Sequence, residues 1–425
     1  MKECSNEKWR KFSMRILHTA DWHIGAKTDD LDRFNEQKEA LKQVIDIANR
    51  YQVDMVLIAG DIYNNLVPSA EDEELFYKTV VELSRNGDCA VVAIAGNHDD
   101  PKRLSNASVF SDKFGIYLVG YIDEIKIDKT KKDTNIYATK CGKGYIEFHT
   151  KNGEDCVLAL LPYPSFYRYR EIKKQSDTIQ AKIPEWLAAG SSHFRDDTIN
   201  ITMAHLMSYG RDIDPEEFLS YTTLSTTVDY VDQKLLHTKA HYTALGHIHQ
   251  AVTINKEKNI FYSGSLINQF FSVKNDEPTN VLIVDLDKNG IQNIIRQPLD
   301  VKLLKKFTVK SVAEAHKVLN NNPDNLIKII IEDVDNTDEE VDNSEYTPYI
   351  TMNDVKRLRK EHPNLVTLSV ITNEAKAATS ITSKKDLTNA EIFDHFIKAK
   401  KGTNPDPKVK ELFLSLMSEG LYEAD

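Results

Sequence analysis

Three stretches of this chain share one plan. Met55 to Asp61 (MVLIAGD), Val91 to Asp100 (VVAIAGNHDD) and Tyr242 to His249 (YTALGHIH) each run through small and β-branched apolar residues. Each then reaches a glycine and breaks into carboxylate, amide or imidazole side chains. Runs this short and this apolar read as buried parallel strands and not as helices. Polar groups at a strand's carboxyl end suggest a site. One such arrangement is weak, but three in one chain are hard to ascribe to chance.

The segments between these runs complete a layered pattern. Arg15 to His18 reads as a first strand, after which Asp21 and His23, two residues apart in extended chain, point the same way. Helical periodicity follows at Glu36 to Arg50 and at Glu71 to Arg85, where Asn86-Gly87 stops the second helix. Strand and helix in alternation predict a parallel sheet covered on both faces. Ile122 to Ile127, Tyr145 to His149 and Cys156 to Leu161 read as antiparallel strands of the same domain, with a turn at Asn152-Gly153. Ile199 to His205 is another buried strand ending in histidine, and Val281 to Leu286, the turn DKNG and Ile291 to Gln297 make a terminal hairpin.

With 425 residues the chain is long enough for two or more domains, and 41% hydrophobic content is that of a soluble globular protein. Residues 1–13 read as an extension with no apolar signal segment. Residues 14–297 form the main domain, and from Pro298 to residue 375 strands and helices suggest a small α+β domain. An acidic run from Glu332 to Glu345 interrupts it as a loop. Residues 376–425 open as a linker and continue as two amphipathic helices, Asn389 to Lys398 and Pro407 to Glu419, suited to closing the small domain or docking on a partner.

A net charge of −11 excludes a chain that binds nucleic acid merely by being basic. Local patches, Tyr167 to Lys174, Lys302 to Lys310 and Lys356 to Lys360, read first as solvated faces and second as phosphate contacts. No stretch reads as membrane-spanning, and four cysteines without CxxC spacing fit reduced thiols in the cytoplasm.

Collected, the strand-end residues are Asp21, His23, Asp61, Asn97, His98, His205, His247 and His249. Any one of these histidines taken alone reads first as a core residue. Together, carboxylate, imidazole and amide oxygen without thiolate suit a pair of divalent first-row cations. Asp61 is the natural bridge, since one shared carboxylate can hold two ions close enough to clamp a phosphate and activate water.

The motifs DWHIG, GDIYN, GNHD, AHLMSYG and GHIHQ, in that order, resemble the five motifs of the calcineurin-like metallophosphoesterase superfamily. With SGSLINQF, the small domain and the helical tail, the resemblance extends to the superfamily's DNA-repair nuclease subunits and covers nearly everything from Met14 onward. It implies a four-layer αββα sandwich with a small α+β capping domain and a helical C-terminal tail. It implies that Asp21, His23, Asp61 and His249 hold one cation and that Asp61, Asn97, His205 and His247 hold the other, with manganese the expected ion. His98 would bind no metal and would serve the scissile phosphate, donating to the developing charge or to the leaving 3′ oxygen. Asp99 is expected to orient His98 by accepting a proton from its other nitrogen. This chain carries Asn64 where some relatives have a second phosphate-contacting histidine. The implied partners are DNA and an SbcC-type ATPase, with the chain a homodimer inside a heterotetramer and no membrane. A phosphodiesterase or protein phosphatase on the same scaffold, and a catalytically silent scaffold, remain as alternatives. Against the phosphatase, GDIYN lacks a basic residue after its motif and GNHD replaces GNHE; against the scaffold, no ligand is missing.

Overall fold

Alternation of side chains along each central strand sorts the apolar residues into two separate cores. In the computed structural model, β1 (Met14–Thr19) sends Ile16 into one core and Leu17 into the other. The same holds for Leu57 and Ile58 in β2 (Met55–Ile58) and for Val92 and Ala93 in β3 (Ala90–Ile94). Both faces of these strands are therefore covered, as their continuous apolar runs require. Structure is described for residues 13–29, 31–111, 114–123, 125–127, 134–165, 168, 179–209, 231–236, 238–271, 278–332, 352–371 and 409. The N-terminal extension apart from Ser13, the linker and both tail helices apart from Val409, most of the acidic run, and all of Tyr167 to Lys174 except Arg168 lie outside these residues.

The described residues divide between two compact units, Met1–Lys305 with Asp324–Leu326, and Lys306–Pro323 with Ile327–Asp425. The first unit contains two large sheets. Further strands are β4 (Ile116–Val119), β5 (Ile136–Gly142), β6 (Tyr145–Thr150), β7 (Asp155–Leu161), β8 (Ile199–His205), β9 (Tyr242–Gly246), β10 (Thr253–Asn255), β11 (Ile260–Tyr262), β12 (Asn280–Asp287) and β13 (Gly290–Pro298). One sheet is six-stranded in the order β13-β12-β1-β2-β3-β4, and the other seven-stranded in the order β10-β11-β9-β8-β7-β6-β5. In the first, β1 to β4 pair in parallel while β12 and β13 are antiparallel; in the second, β7, β8, β9 and β11 are parallel and the edges antiparallel. The expected parallel sheet is thus four strands of a six-stranded mixed sheet. The expected strand at Ile122 to Ile127 does not form: Ile122 sits in a turn, and its carbonyl accepts from the Gly144 amide instead of pairing in a ladder.

Facing sides of the two sheets meet in a core built from Ile16, Leu57, Val92, Phe148, Leu158, Met203 and Ala244 among others. Outside the first sheet lie α1 (Phe34–Tyr51) and α2 (Ala70–Ser84), which bury Leu41, Val44, Phe76 and Val80 against Leu17, Val56 and Val91. Ser69 and Asp72 close α2's first turn as a reciprocal cap. Outside the second sheet, α4 (Ile179–Ser191) packs Ile183, Trp186 and Leu187 on Leu161, Ala204 and Leu245. A shorter helix, α3 (Pro101–Ser111), follows β3. The result is helix, sheet, sheet and helix in layers. Each fully buried Leu or Phe in these layers contributes about 1.5–3 kcal/mol of burial free energy.

Residues after Pro298 remain tied to the first unit: Leu299 N–H donates to Thr279, and Asp300 exchanges hydrogen bonds with the Gln43 side chain. The second unit has the three-stranded sheet β14 (Leu304–Val309), β15 (Leu326–Glu332) and β16 (Leu365–Ile371), with α5 (Val312–Asn320) and α6 (Met352–Glu361). Its own core gathers Val309, Ala315, Leu319, Ile329, Leu358 and Leu365. On α6, Lys356, Arg357, Arg359 and Lys360 are exposed around buried Leu358, which fits a solvated basic face.

Candidate metal centre

Five strands from the two sheets end at one place. Asp21 and His23 follow β1, Asp61 follows β2, Asn97 and His98 follow β3, His205 is the last residue of β8, and His247 and His249 follow β9. Carboxyl ends of parallel strands are where open sheets hold ligands. Here the carboxyl ends of both sheets contribute.

Close backbone packing makes this convergence possible. Gly60 has φ +91°, and a Cβ on it would run into the His205 ring; a Cβ on Gly96 would collide with the backbone and carboxylate of Asp61. The ligand segments then lace together: Asp21 N–H donates to Gly60, His23 N–H to Asp61 and Ile24 N–H to Ile62, all to carbonyls. Asp21, His23, Asp61 and His247 all have positive φ, the kind of backbone strain that concentrates at functional sites.

At the centre lies Asp61. Its Oδ2 is 3.5 Å from His23 Nε2 and 3.4 Å from His205 Nε2, so one oxygen faces an imidazole from each sheet. Its Oδ1 accepts the His98 backbone N–H at 2.8 Å. On one side, His23 Nε2 and His249 Nε2 are 3.1 Å apart, and Asp21 lies within the same group of ligand atoms. On the other, Asn97 Oδ1 is 3.0 Å from His205 Nε2 and 2.9 Å from His247 Nδ1. The His247 backbone N–H reaches both oxygens of Asp21 at 3.0 and 3.1 Å, which joins the two halves.

The electrostatics fit a cation. Burial lowers His247 to about 3 and His249 to about 4, and it lowers His23 as well, so these rings stay neutral and keep their lone pairs. Burial alone would raise Asp61, but His205 and His23 hold it well below the usual carboxylate range. Against the effect of burial, Asp61 raises His205 to about 9, so this carboxylate draws positive charge to itself. Burial pushes the Asp21 carboxyl up, so a bound cation would take the place of protons on Asp21 and His205, while the neutral nitrogens of His23, His247 and His249, the Asn97 amide oxygen and the Asp61 carboxylate complete a donor set for divalent first-row metals.

His98 is exposed, beside this cluster, with its ring 4.8 Å from that of His23. Its Nδ1 is 2.9 Å from the Asn64 carbonyl. A carbonyl only accepts, so Nδ1 carries the proton and Nε2 is the nitrogen available to a substrate. The expected contact from Asp99 to His98 is not made. Buried Asp99 instead accepts the backbone N–H groups of Ile62, Tyr63 and Gly96 at 3.1, 3.0 and 2.8 Å, because those amides surround it where β2 and β3 end. Asp99 is a loop anchor in this geometry, and burial, with Asp61 nearby, pushes it up to about 6.

Several supporting residues have no place among the strand-end residues that the sequence singles out. Arg168 donates to the carbonyls of Gly96, Asn97 and Asp99 at 2.7, 3.2 and 2.7 Å, which clamps the loop that presents His98. It is therefore neither a solvated face nor a free phosphate contact. Tyr163 lies near parallel to His247, and exposed Phe270, the last residue of SGSLINQF, near parallel to His249. Gln37 holds the His23 carbonyl from α1 at 2.5 Å. A glutamine on a helix's apolar face was the readable sign of that contact.

The calcineurin-like phosphoesterase family model matches residues 14–251, the stretch that supplies every residue of the cluster. The chain belongs to this family, and such phosphoesterases use divalent metal ions. Among curated relatives, it is 30% identical to the SbcD component of the nuclease SbcCD from Bacillus subtilis, over 97% of this chain and 100% of the relative. It is 28% identical to the SbcD component of the same nuclease from Staphylococcus epidermidis, over 73% of this chain and 77% of that one. Within the family the chain is SbcD-like along nearly its whole length.

Proposed function

We propose that this chain is the nuclease subunit of a DNA-end-processing enzyme, cutting duplex DNA as a 3′–5′ exonuclease and hairpins or single strands as an endonuclease. It works in the cytoplasm as a homodimer within a heterotetramer completed by an SbcC-type ATPase. Asp21, His23, Asp61 and His249 would hold one cation and Asp61, Asn97, His205 and His247 the other, with manganese the ion of choice. Bound there, such ions polarise a phosphate and supply a water-derived nucleophile at neutral pH. The observation that carries this reading is the single Asp61 oxygen within reach of His23 and His205 at once.

The chain's own residues then divide the work. Asp61 faces both ligand sets, Asn97 draws His205 and His247 together within one of them, and the His247 N–H bound to Asp21 holds the two sets against each other. His98, held at Nδ1 by Asn64, offers a ring nitrogen within 4.8 Å of ligand atoms of His23 and Asp61, where its protonated form can donate to the leaving oxygen. Asp99 and Arg168 keep the loop under His98 in place.

Substrate is what separates this reading from a phosphatase of the same family. Full-length protein, copurified with its ATPase and loaded with manganese, should cut hairpin DNA and hydrolyse a nitrophenyl phosphodiester. Hydrolysis of phosphomonoesters with no cleavage of DNA or diester would overturn the nuclease assignment.

A further inference from the structure

A second group of nitrogen and oxygen donors lies in the smaller unit. His316 sits on α5, Glu361 ends α6 and His362 follows it directly. His316 Nδ1 and His362 Nε2 are 2.8 Å apart, with ring centroids at 4.9 Å and planes at 61°. Glu361 Oε2 is 3.6 Å from the same His316 nitrogen, while its other oxygen faces Arg357 Nε at 4.0 Å. One atom from each of the three residues falls in a single cluster less than 4.8 Å across.

The surroundings resemble a ligand shell more than a chance encounter. His362 is held from both sides, its N–H donating to Leu358 and its carbonyl accepting from Leu365. Ala315, the neighbour of His316, and Leu358 belong to the unit's buried core, so both rings stand on fixed backbone. Exposure rises outward, from buried His362 through half-buried His316 to open Glu361, which leaves a path for an ion and room for water as a further ligand. The nitrogen spacing is close to the 3.1 Å between His23 and His249 in the centre of the first unit.

We propose that His316, Glu361 and His362 form a cation site separate from the family's centre, with zinc the ion its two imidazoles and one carboxylate suit, pinning α5 to the end of α6. Three such ligands with a water match the composition of open tetrahedral zinc sites. None of its three residues is among those assigned to phosphodiester cleavage.

The test uses the full chain, stripped of metal by chelator, equilibrated with zinc and then dialysed. Elemental analysis should find about one zinc ion fewer per chain in His316→Gln and in Glu361→Gln than in wild type. Cobalt substitution should show a visible absorption band that both variants lose. Zinc should raise the wild-type melting temperature more than that of either variant. Manganese-supported hydrolysis of a small phosphodiester should be unchanged, which separates loss of this site from general misfolding. If His316→Gln fails to fold, Glu361→Gln, altered only at an exposed carboxylate, carries the comparison. Equal zinc content, cobalt spectrum and zinc response in the folded variants and wild type would reduce the cluster to a hydrogen-bonded histidine pair and overturn the proposal.

Discussion

His98 and Asp99 are neighbours in sequence with opposite surroundings, and their variants should fail in different ways. His98 is exposed and anchored through the Asn64 carbonyl, so His98→Ala removes the ring we propose meets substrate and leaves the backbone contacts that hold the loops. We expect it to keep its fold and its metal content, measured by elemental analysis, while DNA cleavage falls by about a hundred-fold or more. An unchanged rate would remove His98 from the mechanism. Asp99→Asn replaces an acceptor of three backbone N–H groups by one with a single carbonyl oxygen, and it brings two donors into a buried site. It should lower stability by about 1–3 kcal/mol in urea denaturation. A variant of wild-type stability with an altered pH profile would instead restore the orienting role. The place of His98 beside the ligand cluster was legible in the motif. Its orientation was not, because it comes from the backbone of Asn64, which any residue at that position could supply.

At the scale of strands and turns, the glycine two residues past β2 decides whether the two sheets can share a site. Gly60→Ala would press a methyl group on the His205 ring at a backbone angle that alanine resists, so metal affinity and activity should fall together, read by manganese titration and diester hydrolysis. Wild-type affinity would show that the turn can relax. His18, buried between Tyr242 and the Leu245 carbonyl, couples the two sheets to pH. Burial lowers it from 6.5 to about 3, so below pH 6.5 the unfolded chain takes up a proton that the folded chain refuses. Its contribution to stability is full above about pH 6.5 and declines as pH falls toward 3, by at most about 1.4 kcal/mol per pH unit. His18→Gln should therefore show a shallower loss of stability between pH 6 and 4 than wild type; identical slopes would mean that His18 does not titrate in this way. The strand endings at Asp61, Asn97, His205 and His247 were readable because an apolar run must stop where polar groups begin. The mixed pairing of the first sheet, the turn at Ile122 and the clamp by Arg168 were not, since strand partners and long-range hydrogen bonds leave no local pattern.

Across the whole molecule, a net charge of −11 has to be reconciled with a polyanionic substrate. No helix among the described residues is long and apolar enough to cross a membrane, and the basic face of α6 is a local feature. A chain of this charge should hydrolyse small diesters alone but need its ATPase to hold duplex ends. Truncation at Lys376 removes the linker and the amphipathic segments with Phe393, Phe396, Leu412 and Phe413. The shortened chain should retain metal and diesterase activity and lose copurification with the ATPase; undiminished binding would move the docking surface elsewhere. The two sheets, with ligands from both, make one centre only if Asp61 serves both ligand sets. Metal content and hairpin-DNA cleavage, measured on the same preparations of wild type and Asp61→Asn, test that claim most directly. About two manganese ions per wild-type chain, with this manganese and cleavage lost together in the variant, is the result we predict; a variant that kept both manganese ions at wild-type affinity, or cleaved DNA at the wild-type rate, would contradict it.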